Sequence, residues 1–285
     1  MTTANTHIEQ LDTEITEDDY DLLHLAQNEE ITADVAAELA SSRFPEVRMF
    51  LALNKSTPVE TLRILTEDTG TVRLGNEEIW PLESIEVRRF VAQNPNATAD
   101  MLTKLHGVAN VVHVATHPNA SPELLASVAE GSDSEAWLVA GHASTPEELR
   151  KALADHENEI VAARARHYGR TTTGTVAETA EEREEQAMSL DTPANVLAEL
   201  SRSDDSEIVE LVADNPMTPR EVLEELLTNT DEYDSSDTRR NLAGNWNTAP
   251  DSLSSLMADD DRKVAKYAWQ NPNSVEWDWE YEVSF

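Results

Sequence analysis

The chain has 285 residues, 39% of them hydrophobic, and 56 acidic side chains against 21 basic ones give a formal net charge of −35. That balance argues against nucleic acid or an anionic membrane as a direct partner, because both need cationic neutralisation. The absence of cysteine excludes disulfides, thiolate metal sites and cysteine nucleophiles together.

In chain order, residues 1–20 read as an acidic N-terminal tail without the basic start and apolar core of a signal peptide. No run reaches the ~18 apolar residues of a membrane span, so a cytoplasmic protein is expected. From residue 21 a pattern recurs. Taking the position of Asn94 as a rung, its equivalents fall at Asn28, Asn54, His117, His142, His167, Ser189, Asn215, Asn245 and Asn271, most of them 23 to 26 residues apart. A fixed period in this range signals a repeat architecture, which also accommodates the low hydrophobic content.

The columns around the rung explain the packing. Three residues before it stand Leu25, Leu51, Val91, Val114, Val139, Val212 and Leu242, and two before it stand Ala26, Ala52, Ala92, Ala115, Ala140, Ala165, Ala213 and Ala243. A branched aliphatic fills a groove and the alanine behind it lets the next helix approach. Val47, Val87, Ile160 and Ile208 lie four residues upstream of the aliphatic column, on the same helical face. After the rung come NKSTP, NPNAT, HPNASP, DNPMTP or NWNTAP. Here Asn is expected to end the helix in the left-handed conformation. Pro blocks its continuation, and Ser or Thr caps a second, short helix with Pro at its first position. That second helix carries Leu62 and Leu65, Leu102 and Leu105, or Leu223 and Leu226.

The units EVRRFVAQNPNATADMLTKL and EIVELVADNPMTPREVLEELL resemble leucine-rich repeat variant (LRV) units, and the resemblance covers residues 21 to 274. It implies an all-α fold, a HEAT-like right-handed α-solenoid of about ten ~25-residue repeats alternating α and short 3₁₀-like helices. The cysteine-ligated iron–sulfur segment of some similar proteins is not carried over, since this chain has no Cys.

Four places break the repeat. A β-hairpin insertion is expected at about 69–84, with β-prone runs around Gly75-Asn76. Residues 168–188 lose the leucine column, replace the aliphatic-alanine pair by Gln186-Ala187, and read as a degenerate repeat or a hinge. They separate a first array, 21–167, from a second, 189–274. NTDEYDSSD near Asp231 is an acidic loop. In 275–285, Val275, Trp277, Trp279, Tyr281, Val283 and Phe285 alternate with acidic residues and Ser284. That period of two means an extended strand with one aromatic and one acidic face. It either caps the last repeat or pairs with another chain, a homodimer included.

Candidate chemistry is sparse. His113 and His117 have the i, i+4 spacing of a metal pair, but successive rung histidines lie a helix spacing apart and read instead as corner hydrogen-bonders standing in for Asn. Arg48, Arg88 and Arg239 share a column that suits phosphate binding or, with acids in such excess, internal ion pairs. No nucleophile elbow, phosphate loop, zinc-protease or dinucleotide motif is present, so no catalytic residue, cofactor or metal is assigned and no enzyme is expected. Candidate partner-binding residues are the aromatic tail (Trp277, Trp279, Tyr281, Phe285) and the acidic runs Glu181, Glu182, Glu184, Glu185 and Asp259, Asp260, Asp261. The leading functional expectation is a scaffold presenting an acidic superhelical surface to a basic protein or a Lys/Arg-rich segment. Two alternatives stay open: a DNA mimic that inhibits a DNA-binding protein, and a salt-adapted protein that binds through its aromatic tail. The composition, with 16 Arg and only 5 Lys, suits either a salt-adapted or a high-GC host.

Overall fold

A computed structural model of the chain describes residues 17–28, 30–74, 83–170, 172–228, 236–271 and 273–274. Among these residues there are eighteen helices, seventeen α and one 3₁₀, and one two-stranded sheet. The fold is mostly helical and repeat-like. The chain forms two compact units that divide between Leu124 and Leu125, whereas the sequence put its join at 168–188.

Each repeat is a helix that ends at the rung, a corner, and a second helix. In the first unit the helix Pro45–Leu53 packs on Val87–Gln93. In the second, Ser206–Asp214 packs on Ser236–Gly244, which packs on Arg262–Gln270. The two predicted columns are the reason. Leu51, Val91, Val114, Val139, Val212 and Leu242 are completely buried, as are Ala52, Ala92, Ala213 and Ala243. Burying each of these aliphatic side chains contributes roughly 1.5–3 kcal/mol before ordering costs. The leucines of the second helices, such as Leu62, Leu102 and Leu223, close the core from the other side. Leu25 is the exception, 37% exposed at the start of the array.

The corner works by a different device from the one expected. The rung residues are not left-handed: Asn54, Asn94, Asn215 and Asn271 have φ between −65° and −77° and extended ψ. A following proline drives a residue toward this region, but Asn54 adopts it before Lys55, so the side chain must carry the reason. That reason is a two-sided hydrogen-bond set. The amide oxygen of Asn245 accepts the N–H of Asn247 at 2.8 Å, while its Nδ2 donates to Ala213 O at 2.8 Å and Asn215 O at 2.9 Å in the preceding repeat. Asn54, Asn94, Asn215 and Asn271 repeat the arrangement within their own units. The alanine column therefore does two jobs: it lets the helices approach, and its carbonyl accepts the next rung's amide.

The corner threonine is likewise reassigned. Thr57, Thr145, Thr218 and Thr248 each donate at 2.6 Å to the carbonyl six residues back, so they satisfy the end of the preceding helix rather than cap the next. The short helices Val59–Leu65 and Glu147–Leu153 start behind a proline with no side-chain cap. Helix C-termini leave carbonyls without intrahelical partners, and rung amide plus threonine hydroxyl absorb them. Thr32, which accepts from the N–H of Val35 at 3.4 Å, and Ser121, which accepts from the N–H of Leu124 at 3.2 Å, do behave as the expected N-terminal caps.

Three further differences follow. The short second helices are α, and the described 3₁₀ helix, Val87–Gln93, lies among the rung-ending helices instead. The hairpin exists, but its antiparallel strands are Thr71–Leu74 and Glu83–Glu86, with Val72 paired to Ile85 and both buried; Gly75-Asn76 lie outside the described residues. Within 168–188, residues 180–188 form a regular helix that packs on Ser206–Asp214. The irregular part is the stretch before it, held by polar side chains where the repeat has aliphatic ones. Gln186 accepts from Ala177 N–H at 2.9 Å and donates to Thr175 O at 3.0 Å, Arg183 donates to Ala177 O and Glu178 O, and Asn195 brackets Gly174.

Candidate functional site

The histidines are corner residues. His117 Nε2 lies 2.9 Å from Asn94 O, and its Nδ1 accepts the N–H of Asn119 at 3.1 Å. These are the same two roles an asparagine amide plays, and an accepting Nδ1 fixes the proton on Nε2. With both nitrogens engaged, His117 cannot pair with His113 as a metal ligand. Among the described residues no group of three or more His, Asp or Glu is placed to hold a metal ion. His113 is half-buried, and its Nε2 is buried without a partner among the described residues. Burial first, then the neighbouring His117 and Arg89, push its pKa down to about 4. His167 departs from the pattern: its Nε2 sits 2.8 Å from Asp191 Oδ1 of the following corner.

The acidic candidates divide. Glu182 closes a capping box with Thr179. Asp259 pairs with Arg239 at 2.7 Å, and Asp261 caps Arg262–Gln270 by accepting from Lys263 N–H at 2.8 Å. These three are structural. Glu181, Glu184 and Glu185 share one side of the helix Ala180–Met188, and with Asp260 they make no ion pair among the described residues. The tail residues Trp277, Trp279, Tyr281 and Phe285 lie outside the described residues, as does the acidic loop around Asp231. The arginine column is paired internally: Arg48 with Asp68, Arg88 with Glu86 and Arg239 with Asp259.

One constellation in the second unit was not anticipated. Trp137, on Asp133–Ala140, is 1% exposed and meets Trp246 edge to face, with ring centroids 6.0 Å apart. The guanidinium of Arg164, on Glu159–His167, stacks on Trp137 at 3.4 Å. Arg164 occupies the column where other repeats place a branched aliphatic, three residues before the rung. Its room is made by Gly141, where a Cβ would stand 2.2 Å from Arg164 Nε. Arg164 Nη1 donates to Asn247 Oδ1 over a long 3.4 Å, and Asn247 Nδ2 donates to Thr218 O at 2.8 Å, two residues before the helix Arg220–Thr228. Among the described residues neither Arg164 Nε nor Trp137 Nε1 has an acceptor, although both atoms are buried. Burial and then the charge of Arg220 lower the Arg164 pKa to about 9, which leaves the guanidinium charged at neutral pH.

Two sequence signals pointed here and were passed over: an arginine in an aliphatic column, and a second asparagine two residues after the rung. Asn96, Asn119, Asn247 and Asn273 all donate to corner carbonyls of the preceding repeat. Asn247 alone of these turns its oxygen to Arg164.

No family model matches the chain, and no curated protein matches it. Among solved structures it is similar to engineered proteins of the Northeast Structural Genomics Consortium. One is 14% identical, with 87% of this chain and 71% of that chain covered and a TM-score of 0.21; another is 17% identical over 90% and 95%, with a TM-score of 0.18. At TM-scores this low the likeness carries no argument about fold or function.

Proposed function

We propose that this chain is a non-catalytic interaction scaffold. Its helical repeats, of leucine-rich repeat variant type, form a right-handed α-solenoid that offers an acidic surface to a Lys/Arg-rich segment of a partner protein. The observation that carries the reading is how the basic side chains are used. Arg48, Arg63, Arg88, Arg202, Arg239 and Arg240 each meet a carboxylate of the chain itself, and Arg150 and Arg183 are drawn onto backbone carbonyls. The excess of 56 acids over 21 bases is therefore left to the surface. Glu181 stands i, i+3 and i, i+4 from Glu184 and Glu185, spacings at which like charges weaken a helix by a few tenths of a kcal/mol. A surface of one sign focuses long-range attraction on a cationic partner and speeds its encounter.

The experiment is calorimetric titration of the full chain with a Lys/Arg-rich peptide and a Gln-substituted control peptide at low and high salt. The expected result is saturable binding of the cationic peptide alone, weakening steeply as salt shortens the screening length to about 3 Å at 1 M. Absence of binding at low salt, or binding indifferent to salt, overturns the reading.

A further inference from the structure

The last described helix, Arg262–Gln270, departs from the repeat in one column. Two residues before the rung Asn271 stands Trp269, in the place that Ala187, Ala213 and Ala243 hold in the second unit. Those alanines are completely buried, because the next rung-ending helix packs over them. Trp269 is 51% exposed. An indole in the alanine column keeps a further helix from the same close approach. The backbone here has changed partner as well. The carbonyls of Ala187, Ala213 and Ala243 accept the amide of the next rung at 2.8 to 2.9 Å, whereas Trp269 O accepts the hydroxyl of Ser274 at 3.1 Å from the same chain.

The face around Trp269 is cationic and aromatic. Arg262, Lys266 and Trp269 follow one another at i, i+4 and i+7, and Lys263 and Tyr267 form the adjacent stripe, so the five share one side of the helix. All five are exposed, Tyr267 at 47%. Val264 and Ala268 are buried on the other side, which packs on Ser236–Gly244 and Pro250–Met257. Arg262, Lys263 and Lys266 have no carboxylate within ion-pair distance among the described residues, unlike Arg48, Arg202 and Arg239. In a chain with a net charge of −35, this is a surface of the minority sign with large apolar groups beside it.

We propose that this face is the docking surface for residues 275–281 of the same chain, which lie outside the described residues. The segment reads VEWDWEY, with Trp277, Trp279 and Tyr281 alternating with Glu276, Asp278 and Glu280. Its chemistry complements the face on both counts. Aromatic rings laid on Trp269 and Tyr267 bury apolar area. The long stems of Lys263 and Lys266 let their ammonium groups reach past the segment's backbone to its carboxylates. Ser274, held on Trp269 O, starts the segment at this face. Extended at about 3.3 Å per residue, the segment reaches roughly 23 Å, more than the roughly 13 Å length of the nine-residue helix. With the segment seated, its aromatic side is used within the chain, and the acidic surface argued above is left to the partner.

The test is hydrogen exchange of the amides of residues 266–271 in the full chain, read at two protein concentrations. Lys263→Glu with Lys266→Glu on the helix, and Asp278→Lys with Glu280→Lys on the segment, are each expected to speed exchange roughly fivefold, the scale of two exposed ion pairs. An acidic residue in the first turn favours a helix start, so faster exchange in the first variant does not come from the helix alone. All four substitutions together restore opposite charges, and exchange should return to within about twofold of the wild type, a recovery that only a direct contact gives. Exchange unchanged by either pair, or no recovery in the combined variant, overturns the proposal. So does protection that rises with protein concentration, which assigns the face to the segment of a second copy.

Discussion

Two regions of the second unit use polar side chains in opposite ways. Along Asn215, Asn245 and Asn271 each amide has a partner for both its oxygen and its nitrogen, and the corner threonines beside Asn215 and Asn245 are satisfied as well. Around Trp137 and Arg164, two buried donors face no acceptor among the described residues. The rung amides of the first region are saturated and hold repeats together, although Arg240 Nε, on the helix Ser236–Gly244 that leads into Asn245, is itself buried without a partner among the described residues. The second has hydrogen-bonding capacity to spare in a setting where that is costly. Leaving a buried donor unmade costs about 1–3 kcal/mol, and this corner tolerates two among the described residues. Regions that depart from local consistency are where function concentrates.

The sharpest way to break this comparison is at Trp137. Trp137→Ala removes a fully buried ring that supports both Arg164 and Trp246, and should destabilise the protein by roughly 3–5 kcal/mol in urea unfolding. Trp137→Phe deletes the partnerless Nε1 and keeps most of the volume, so it should cost far less. A Phe variant as unstable as the Ala one would mean that the indole N–H is satisfied after all.

A second prediction concerns pH and the first unit. The folded-state pKa of His113, about 4, lies below its ordinary value of 6.5. The unfolded chain therefore binds the proton more readily, and His113 favours folding fully above pH 6.5. That contribution is lost as pH falls from 6.5 toward 4, and amounts to about 2–3 kcal/mol over the window. Carboxylates titrate nearby, so the readout is the difference between the wild type and His113→Phe across pH 4 to 7. The variant should show the shallower fall. Parallel curves would show that His113 carries no such shift.

The smallest effect isolates one bond of the saturated region. Thr248→Val keeps the shape but removes the 2.6 Å hydroxyl bond to Leu242 O, and should cost about 1 kcal/mol because that carbonyl keeps only its longer 3.3 Å bond from the Asn245 N–H. No change in the unfolding midpoint would mean that the hydroxyl is dispensable to the corner.

How far the sequence disclosed all this follows from the range of the interactions. The aliphatic-alanine columns and the break after the rung depend on residues within one repeat, and they appear as buried positions and helix ends at Leu51, Ala92 or Val212. The chemistry of the corner was half legible. Asn, His and Thr stood out at the right positions, but their partners lie one repeat back or six residues back, and a single-repeat reading gave Asn a left-handed turn and Thr a forward cap. The Arg164 site was hardest, because Trp137 and Trp246 are 109 positions apart and no local pattern joins them. What was visible was the misfit itself, a charged residue in an aliphatic column. The hairpin shows the same limit: the strand at Thr71–Leu74 was readable, while its partner at Glu83–Glu86 depended on pairing that β propensity alone did not choose.

The account turns on the claim that the rung side chain is a two-sided hydrogen-bond bridge, for which His serves as well as Asn. Its most direct test is urea unfolding of Asn245→Ala beside Asn245→His. Alanine leaves Ala213 O, Asn215 O and the Asn247 N–H short of a partner and should cost about 3 kcal/mol. Histidine should recover at least half of that, by the two contacts His117 makes with Asn94 O and Asn119 N–H. Equal destabilisation by both substitutions would contradict the bridge and leave the rung without an explanation.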